Sequence, residues 1–361
     1  MLKGPIDEKR PVDVIGNAVR VMRIAKGEET ETLPEDHAMP RLTRRAALGL
    51  LGAAAVTRGA AAQWNPSRSI RLIAPYPPGG GVDTTSRLLA GPMGAFLGQG
   101  IVVENRGGAG GSIGAAEVAR AVPDGHTLMI DALAHTVNPA LLRNLPFDYA
   151  NAFTPISQVV VLPQILVVHP SVPASTLPEF IAWAKARPGT LSYGSSGNAT
   201  AAHLAAALFL NRAGLDIQHV PYRGGTPALA DLMGGAITCV FGTVSSSLQL
   251  ARDGRIRALG VSTATRITSL PEVPTIAEQG FPGYELNEWN GLYGPAGLPA
   301  AATTRLYEAA VHALADSGVR ARLDALGALP VGSNPTDFAR YVAEQRTLMA
   351  QLVRDARIEV G

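Results

Sequence analysis

Three glycine-rich loops hold the residue types best suited to chemistry. The first runs Ala74-Pro75-Tyr76-Pro77-Pro78-Gly79-Gly80-Gly81-Val82-Asp83. The second is Glu104-Asn105-Arg106-Gly107-Gly108-Ala109-Gly110-Gly111-Ser112. The third, Tyr193-Gly194-Ser195-Ser196-Gly197-Asn198-Ala199-Thr200, leads into a helix that carries His203. Each follows a strand-like apolar run and precedes a segment with helical spacing. Prolines stiffen the first loop and remove donors, while its glycines let the backbone come close to a ligand with free N–H groups. Hydroxyls and amides at the start of a helix suit an anion, because the first turn has unsatisfied N–H groups and the positive end of the helix dipole. The loops are poor in Lys and Arg, which matches one carboxylate better than a polyphosphate.

Other chemistries fit less well. No Gly-x-x-x-x-Gly-Lys-Ser/Thr occurs, and Gly108 to Gly114 misses Gly-x-Gly-x-x-Gly by one position. No nucleophile elbow is expected, and Ser195 and Ser196 lack an obvious Asp/His completion in the sequence. The seven histidines are scattered without metal-ligand spacing on a helix. Cys239, the one cysteine, lies in an apolar run and is expected in a core, which excludes a disulfide framework. Asp83 reads as a helix N-cap whose carboxylate turns away from an anion. Arg106 is expected to brace its loop, and Trp289 either closes over a ligand or packs near a hinge. Lys and Arg total 31 against 29 Asp and Glu, and aromatics are 5%, so neither nucleic acid nor a polybasic membrane surface is indicated.

The elements that must hold these loops alternate. Strands are expected at 70–74, 101–104, 127–130, 156–161, 165–168, 191–194, 217–220, 238–241 and 256–261. Helices intervene, one opening on the capping box Thr176/Glu179 with the stripe Leu177, Phe180, Ile181 and Ala184. Two longer helices close the chain, through Leu306, Ala310 and Leu314 and through Phe338, Tyr341, Val342 and Leu352. This alternation predicts α/β lobes with mostly parallel sheets, and 361 residues suffice for two.

The first 62 residues read as an address. Arg44-Arg45, the apolar run Ala46 to Val56 and Ala60-Ala61-Ala62 form the three parts of a signal peptide over 39–62, cleaved near Ala62. Thr43-Arg44-Arg45 suits twin-arginine export as well as general export. Residues 1–38 are charged and fit badly before such a peptide, so translation is expected to begin at Met39 or a long leader to precede it. The protein is expected in the periplasm.

Beyond the loops, Pro123-Asp124-Gly125-His126-Thr127-Leu128, Asn138-Pro139-Ala140-Leu141, Val220-Pro221-Tyr222-Arg223-Gly224-Gly225 and Leu270-Pro271-Glu272-Val273-Pro274-Thr275 follow in order. With the loops and the Trp289-Gly291 neighbourhood, the chain over 68–361 resembles the Bug-type receptors of tripartite tricarboxylate transporters. The resemblance implies a two-lobed type II periplasmic-binding-protein architecture with a ligand cleft between lobes. The chain would cross twice, giving lobe 1 as 66–166 with 290–361 and lobe 2 as 167–289. It also implies a ligand site at Tyr76, Gly79 and Gly80 of the first loop, at Ala132, His135 and Thr136, and at Ser195, Gly197, Asn198, Thr200 and His203. Tyr222, Gly225 and Thr243 are weaker members. Ala199 stands where the family often has glycine. The implied ligand is a small carboxylate, bound by a monomer without cofactor or metal and passed to a membrane permease. A sensor protein fed by the same cleft is the runner-up, and an α/β hydrolase or oxidoreductase the more distant alternative.

Overall fold

The computed structural model describes residues 64–358. The signal peptide, its cleavage point and the 1–38 extension lie outside the described residues. Two sheets organise the rest.

The first sheet starts with the buried apolar run β1 (Ile70–Ala74). Helix α1 (Gly81–Leu97) returns the chain to β2 (Ile101–Asn105), and α2 (Ser112–Ala119) returns it to β3 (Thr127–Ala132). Both β2 and β3 pair parallel with β1. Helix α3 (Ala134–Leu141) then leads to the long β4 (Phe153–Leu162). Only Pro163 separates β4 from β5 (Gln164–Val168), the first strand of the second sheet.

In the second sheet α4 (Leu177–Lys185) precedes β6 (Ser192–Ser195), and α5 (Ala201–Ala213) precedes β7 (Gln218–Pro221). Helix α6 (Gly225–Met233) leads to β8 (Cys239–Thr243), and α7 (Val244–Arg252) to β9 (Arg257–Val261). The order is β7-β6-β8-β5-β9. The chain then returns to the first sheet as β10 (Glu288–Pro295). Helices α8 (Ala300–Ala315) and α9 (Ser317–Ala325), the short β11 (Leu329–Pro330) and α10 (Pro335–Asp355) follow. The first sheet's order is β11-β4-β10-β3-β1-β2.

The expectation of mostly parallel sheets needs correction, because both sheets are mixed. β10 runs antiparallel to β3 and β4, and β5 antiparallel to β8 and β9. These are the strands at which the chain crosses between sheets. A strand that enters from the other lobe needs no right-handed helical crossover, which is what keeps neighbours parallel. β10 was missed in the sequence because Asn287-Glu288-Trp289-Asn290-Gly291 lacks an apolar run.

Local signals otherwise hold. Thr176 and Glu179 form both halves of the capping box that opens α4, and Leu177, Phe180 and Ala184 are buried. Arg71 and Arg106 clasp Glu104 and Glu117, with Arg71 at 2.8 Å from Glu104 and 2.6 Å from Glu117, so Arg106 braces its loop. Trp289 is fully buried, edge-on to Phe338 and Tyr341. It therefore packs in the core and does not close over a ligand. Cys239 is buried, and its thiol is pushed up to about 12 by that burial.

β10 passes so close to α10 that Gly291 has no room for a side chain. A Cβ there would lie 2.2 Å from the Phe338 ring. Overpacking of this kind costs about 1–3 kcal/mol. Gly291→Ala is expected to lower the thermal unfolding midpoint clearly, and scanning calorimetry would show it; an unchanged midpoint would mean that α10 yields freely.

Candidate functional site

A cavity of about 320 Å³ opens between the two lobes. The second lobe contributes Asn198, Ala199, Thr200 and Ala201, the turn into α5. The first contributes Tyr76 from the loop after β1, Ala109 and Gly110 from the second glycine loop, and Ala132, Leu133 and Asn138 around the start of α3. Glu288, the first residue of β10, completes this side. No Lys or Arg is among the described lining residues, and Glu288 is the one charged group there.

The second-lobe turn is held by its own polar atoms. Thr200 is the N-cap of α5, and its hydroxyl accepts from the His203 N–H and donates to the Gly197 carbonyl at 2.8 Å. Ser195 is fully buried, with its hydroxyl 2.7 Å from His219 Nε2 and also accepting the Gly197 N–H. His203 Nδ1 accepts the Ala199 N–H, and its ring stacks on His219 at 3.9 Å. Burial first, and the neighbouring His219 second, push His203 down to about 4. These bonds engage the side chains of Ser195, Thr200 and His203, while the first-turn amides of Ala201 and Ala202 have no intrahelical acceptors. Such N–H groups at a helix start attract an anion.

On the first-lobe side, Asp131 gathers three donors. Its carboxylate takes the Tyr76 hydroxyl at 2.9 Å and the Ala132 N–H at 2.8 Å, and pairs with His135 Nδ1 at 3.0 Å. Burial drives the Tyr76 hydroxyl well above its usual range, so it remains a neutral donor. Glu288 Oε1 accepts the N–H groups of Leu133 at 2.9 Å and Trp289 at 3.0 Å. Burial nevertheless raises Glu288 to about 7, since these bonds only partly offset desolvation and Asp131 adds repulsion.

Of the expected site residues, Tyr76, Ala132, Asn198 and Thr200 meet in this cavity. Gly79 and Gly80 are not among its lining residues. The Gly79 N–H is not free but donates to Asp83 Oδ2 at 2.9 Å. Asp83 is accordingly not the N-cap, which is Gly80; it reaches back from the first turn of α1 and also takes Asn105 and Arg87. His135 is enclosed by Tyr293, Tyr149 and Phe153, and Thr136 is fully buried with its hydroxyl on the Leu133 carbonyl. Both sit behind the cavity wall because α3 turns them inward. Ser195, Gly197 and His203 support the turn from behind. Tyr222, pushed up to about 12 by burial and by Asp231, bonds that carboxylate at 2.7 Å. Gly225 and Thr243 lie beside Ser246, outside the cavity lining.

The expectation of no nucleophile elbow also needs correction at the level of pattern. Gly110-Gly111-Ser112-Ile113-Gly114 has the Gly-x-Ser-x-Gly spacing. Ser112 is nearly buried at the start of α2, and no described histidine bonds its hydroxyl. Ser195 does find a histidine, His219, but is wholly enclosed. Among the lining residues missed were Ala109, Gly110, Leu133, Asn138, Ala201 and Glu288. For Glu288 the sequence offered no signal, because the strand that it opens was itself unrecognised.

Two α/β lobes with a helix start and two glycine-rich loops lining a shared cleft are the architecture of solute-binding proteins. The family model described as "Tripartite tricarboxylate transporter family receptor" matches residues 85–358. The periplasmic binding protein BugD is 30% identical, with a TM-score of 0.66 over 81% of this chain and 99% of that one. A protein of R. palustris solved with adipate is 34% identical, with a TM-score of 0.69 over 81% and 99% of the two chains. MatC from Rhodopseudomonas palustris, with bound malate, is 32% identical at a TM-score of 0.66 over 80% and 99%. The chain belongs to the receptor family of tripartite tricarboxylate transporters and is a periplasmic solute-binding protein.

Two outcomes follow from the second-lobe turn. Ala199 holds φ +59°, the left-handed region that favours glycine. Ala199→Gly relieves a strain of about 1–2 kcal/mol against a smaller entropy cost, so a net gain of about 0.5–1 kcal/mol in denaturant unfolding is expected. His203 is held below its ordinary 6.5, at about 4, so the unfolded chain binds more protons between those values. The stability from neutral His203 is therefore present above about pH 6.5 and lost as pH falls towards about 4. The midpoint of His203→Gln should fall less over that window than that of the unaltered protein.

Proposed function

We propose that the cleft captures a small carboxylate and that closure of the two lobes around it marks the loaded receptor for a membrane permease. The observation that carries this reading is the open first turn of α5, which brings Asn198, Thr200 and Ala201 to an interlobe cavity with no Lys or Arg among its described lining residues. A carboxylate there exchanges water for backbone donors aligned with a helix dipole. Tyr76, a neutral hydroxyl from the opposite lobe, adds contact to the cavity without charge. Closure is favoured only by the ligand's higher affinity for the closed form, which lining residues from both lobes provide. The adipate- and malate-bound relatives support the ligand class.

The protein works by binding and not by catalysis: Ser195 is enclosed, and Ser112 has no described histidine on its hydroxyl. It acts as a monomer, exported by the signal peptide at 39–62 and cleaved near Ala62. Lobe 1 comprises 66–166 with 290–361 and lobe 2 comprises 167–289. Sheet membership supports these limits to within strands β5 and β10, which span them.

The protein, freed of bound ligand by unfolding and refolding, is expected to gain thermal stability with one or more small carboxylic acids and not with the matching amides. A ligand at a hundred times its dissociation constant stabilises by about 2.7 kcal/mol, which is readily measured. Asn198→Asp places a negative charge beside the proposed carboxylate while leaving a good residue near a helix start. It should weaken binding at least tenfold with the unfolding midpoint nearly unchanged. Equal affinity in that variant, or turnover of an ester in place of binding, would remove the site from this turn.

A further inference from the structure

The carboxyl of Glu288 is the one charged group that the described residues bring to the cleft. Both backbone donors nearby go to one oxygen: Oε1 takes the Leu133 and Trp289 N–H groups. Oε2 has no hydrogen-bond partner among the described residues. Among the described residues no cation offsets the group, and the charged neighbour that acts on it is another carboxylate, Asp131. A partly buried carboxylate with one unused oxygen and no counter-ion is completed most strongly by a donor that carries positive charge. The α5 turn, on the other lobe, offers donors for the opposite charge.

Resting on the carboxylate reading of the α5 turn, we propose that Glu288 sets the ligand class: the cleft takes a carboxylic acid that also carries an ammonium group, carboxylate to α5 and ammonium to Glu288 Oε2. Such a ligand neutralises both ends of the cavity. A plain dicarboxylate would set its second carboxylate against Glu288 and, behind it, Asp131. It could bind well only with a proton on the Glu288 carboxyl.

The two kinds of ligand therefore respond to pH in opposite senses. Burial holds Glu288 at about 7. The titratable groups that interact with it are Asp131 on β3, Tyr76 in the first loop and Tyr341 on α10. Both tyrosines are pushed upward by burial and stay neutral across this window. An ammonium acid binds the ionised Glu288, so its affinity falls as pH drops through about 7. A dicarboxylate gains affinity over the same range.

The test uses calorimetry on the full exported protein with 4-aminobutyrate against succinate and 5-aminopentanoate against glutarate, each at pH 8 and pH 6. At least one amino acid is expected to bind tenfold or more tightly than its dicarboxylate partner at pH 8 and to weaken at pH 6. Glu288→Gln keeps an oxygen for the Leu133 and Trp289 N–H groups, so the strand junction stays intact. In that variant the amino acid should lose at least tenfold, the dicarboxylate should gain, and the pH dependence should flatten. Dicarboxylate preference in the unaltered protein at pH 8, or a Glu288→Gln variant with the same preference as its parent, would overturn the inference and leave the carboxylate site standing. Failure of every acid to bind would overturn the carboxylate reading itself, and this inference with it.

Discussion

The joint between β3 and β10 is the contact on which the cleft depends. Glu288 opens β10 and accepts the N–H of Leu133, the residue after β3, together with that of Trp289. One carboxyl oxygen thereby fixes where the returning chain enters the first sheet. From that point β10 lies antiparallel between β3 and β4, with Asn290 opposite Ala132. Ala132 is held at the cavity edge with Asp131 buried behind it, and Tyr76 reaches Asp131 from the neighbouring loop. A shift at this joint would move Tyr76, Ala132 and Leu133 together.

The opposite wall is built on a different plan. On the second lobe, side chains are spent internally so that backbone can be offered outward. Thr200, Ser195 and His203 each bond within the turn, and His219 backs both Ser195 and His203. The outcome is a rigid helix start with its amides open. One wall presents fixed dipoles and the other a carboxyl and a hydroxyl. This division gives a receptor an orientation for its ligand without any arginine clamp. It also explains why polar residues that look functional in the sequence are enclosed: they hold the loop's shape.

Much of the fold was legible because its signals are local. The apolar residues of Ile70–Ala74 and all of Gln164–Val168 are buried, as strands covered on both faces must be. The capping box at Thr176 and the stripes of α8 and α10 depend on residues within a few positions of one another. β10 escaped because its burial comes from Phe338 and Tyr341, some fifty positions away, and not from its own composition. Sheet polarity escaped for a related reason, since the direction of a crossing strand is set by where the chain comes from.

For the site, the sequence alone determined which loops are glycine- and hydroxyl-rich, and that Asn198 and Thr200 sit where α5 begins, because capping chemistry is written within four residues. Its ordered motifs also determined the family. Only the tertiary structure decided which loop residues face the cleft. Gly79, His135 and Thr136 are turned to internal bonds or to the core, while Ala109, Asn138 and Glu288 come to the cavity from separate stretches of chain. Facing is a property of two lobes meeting, and no segment carries it by itself. Whether a polar atom is free for a ligand depends on whether a distant residue has already taken its hydrogen bond.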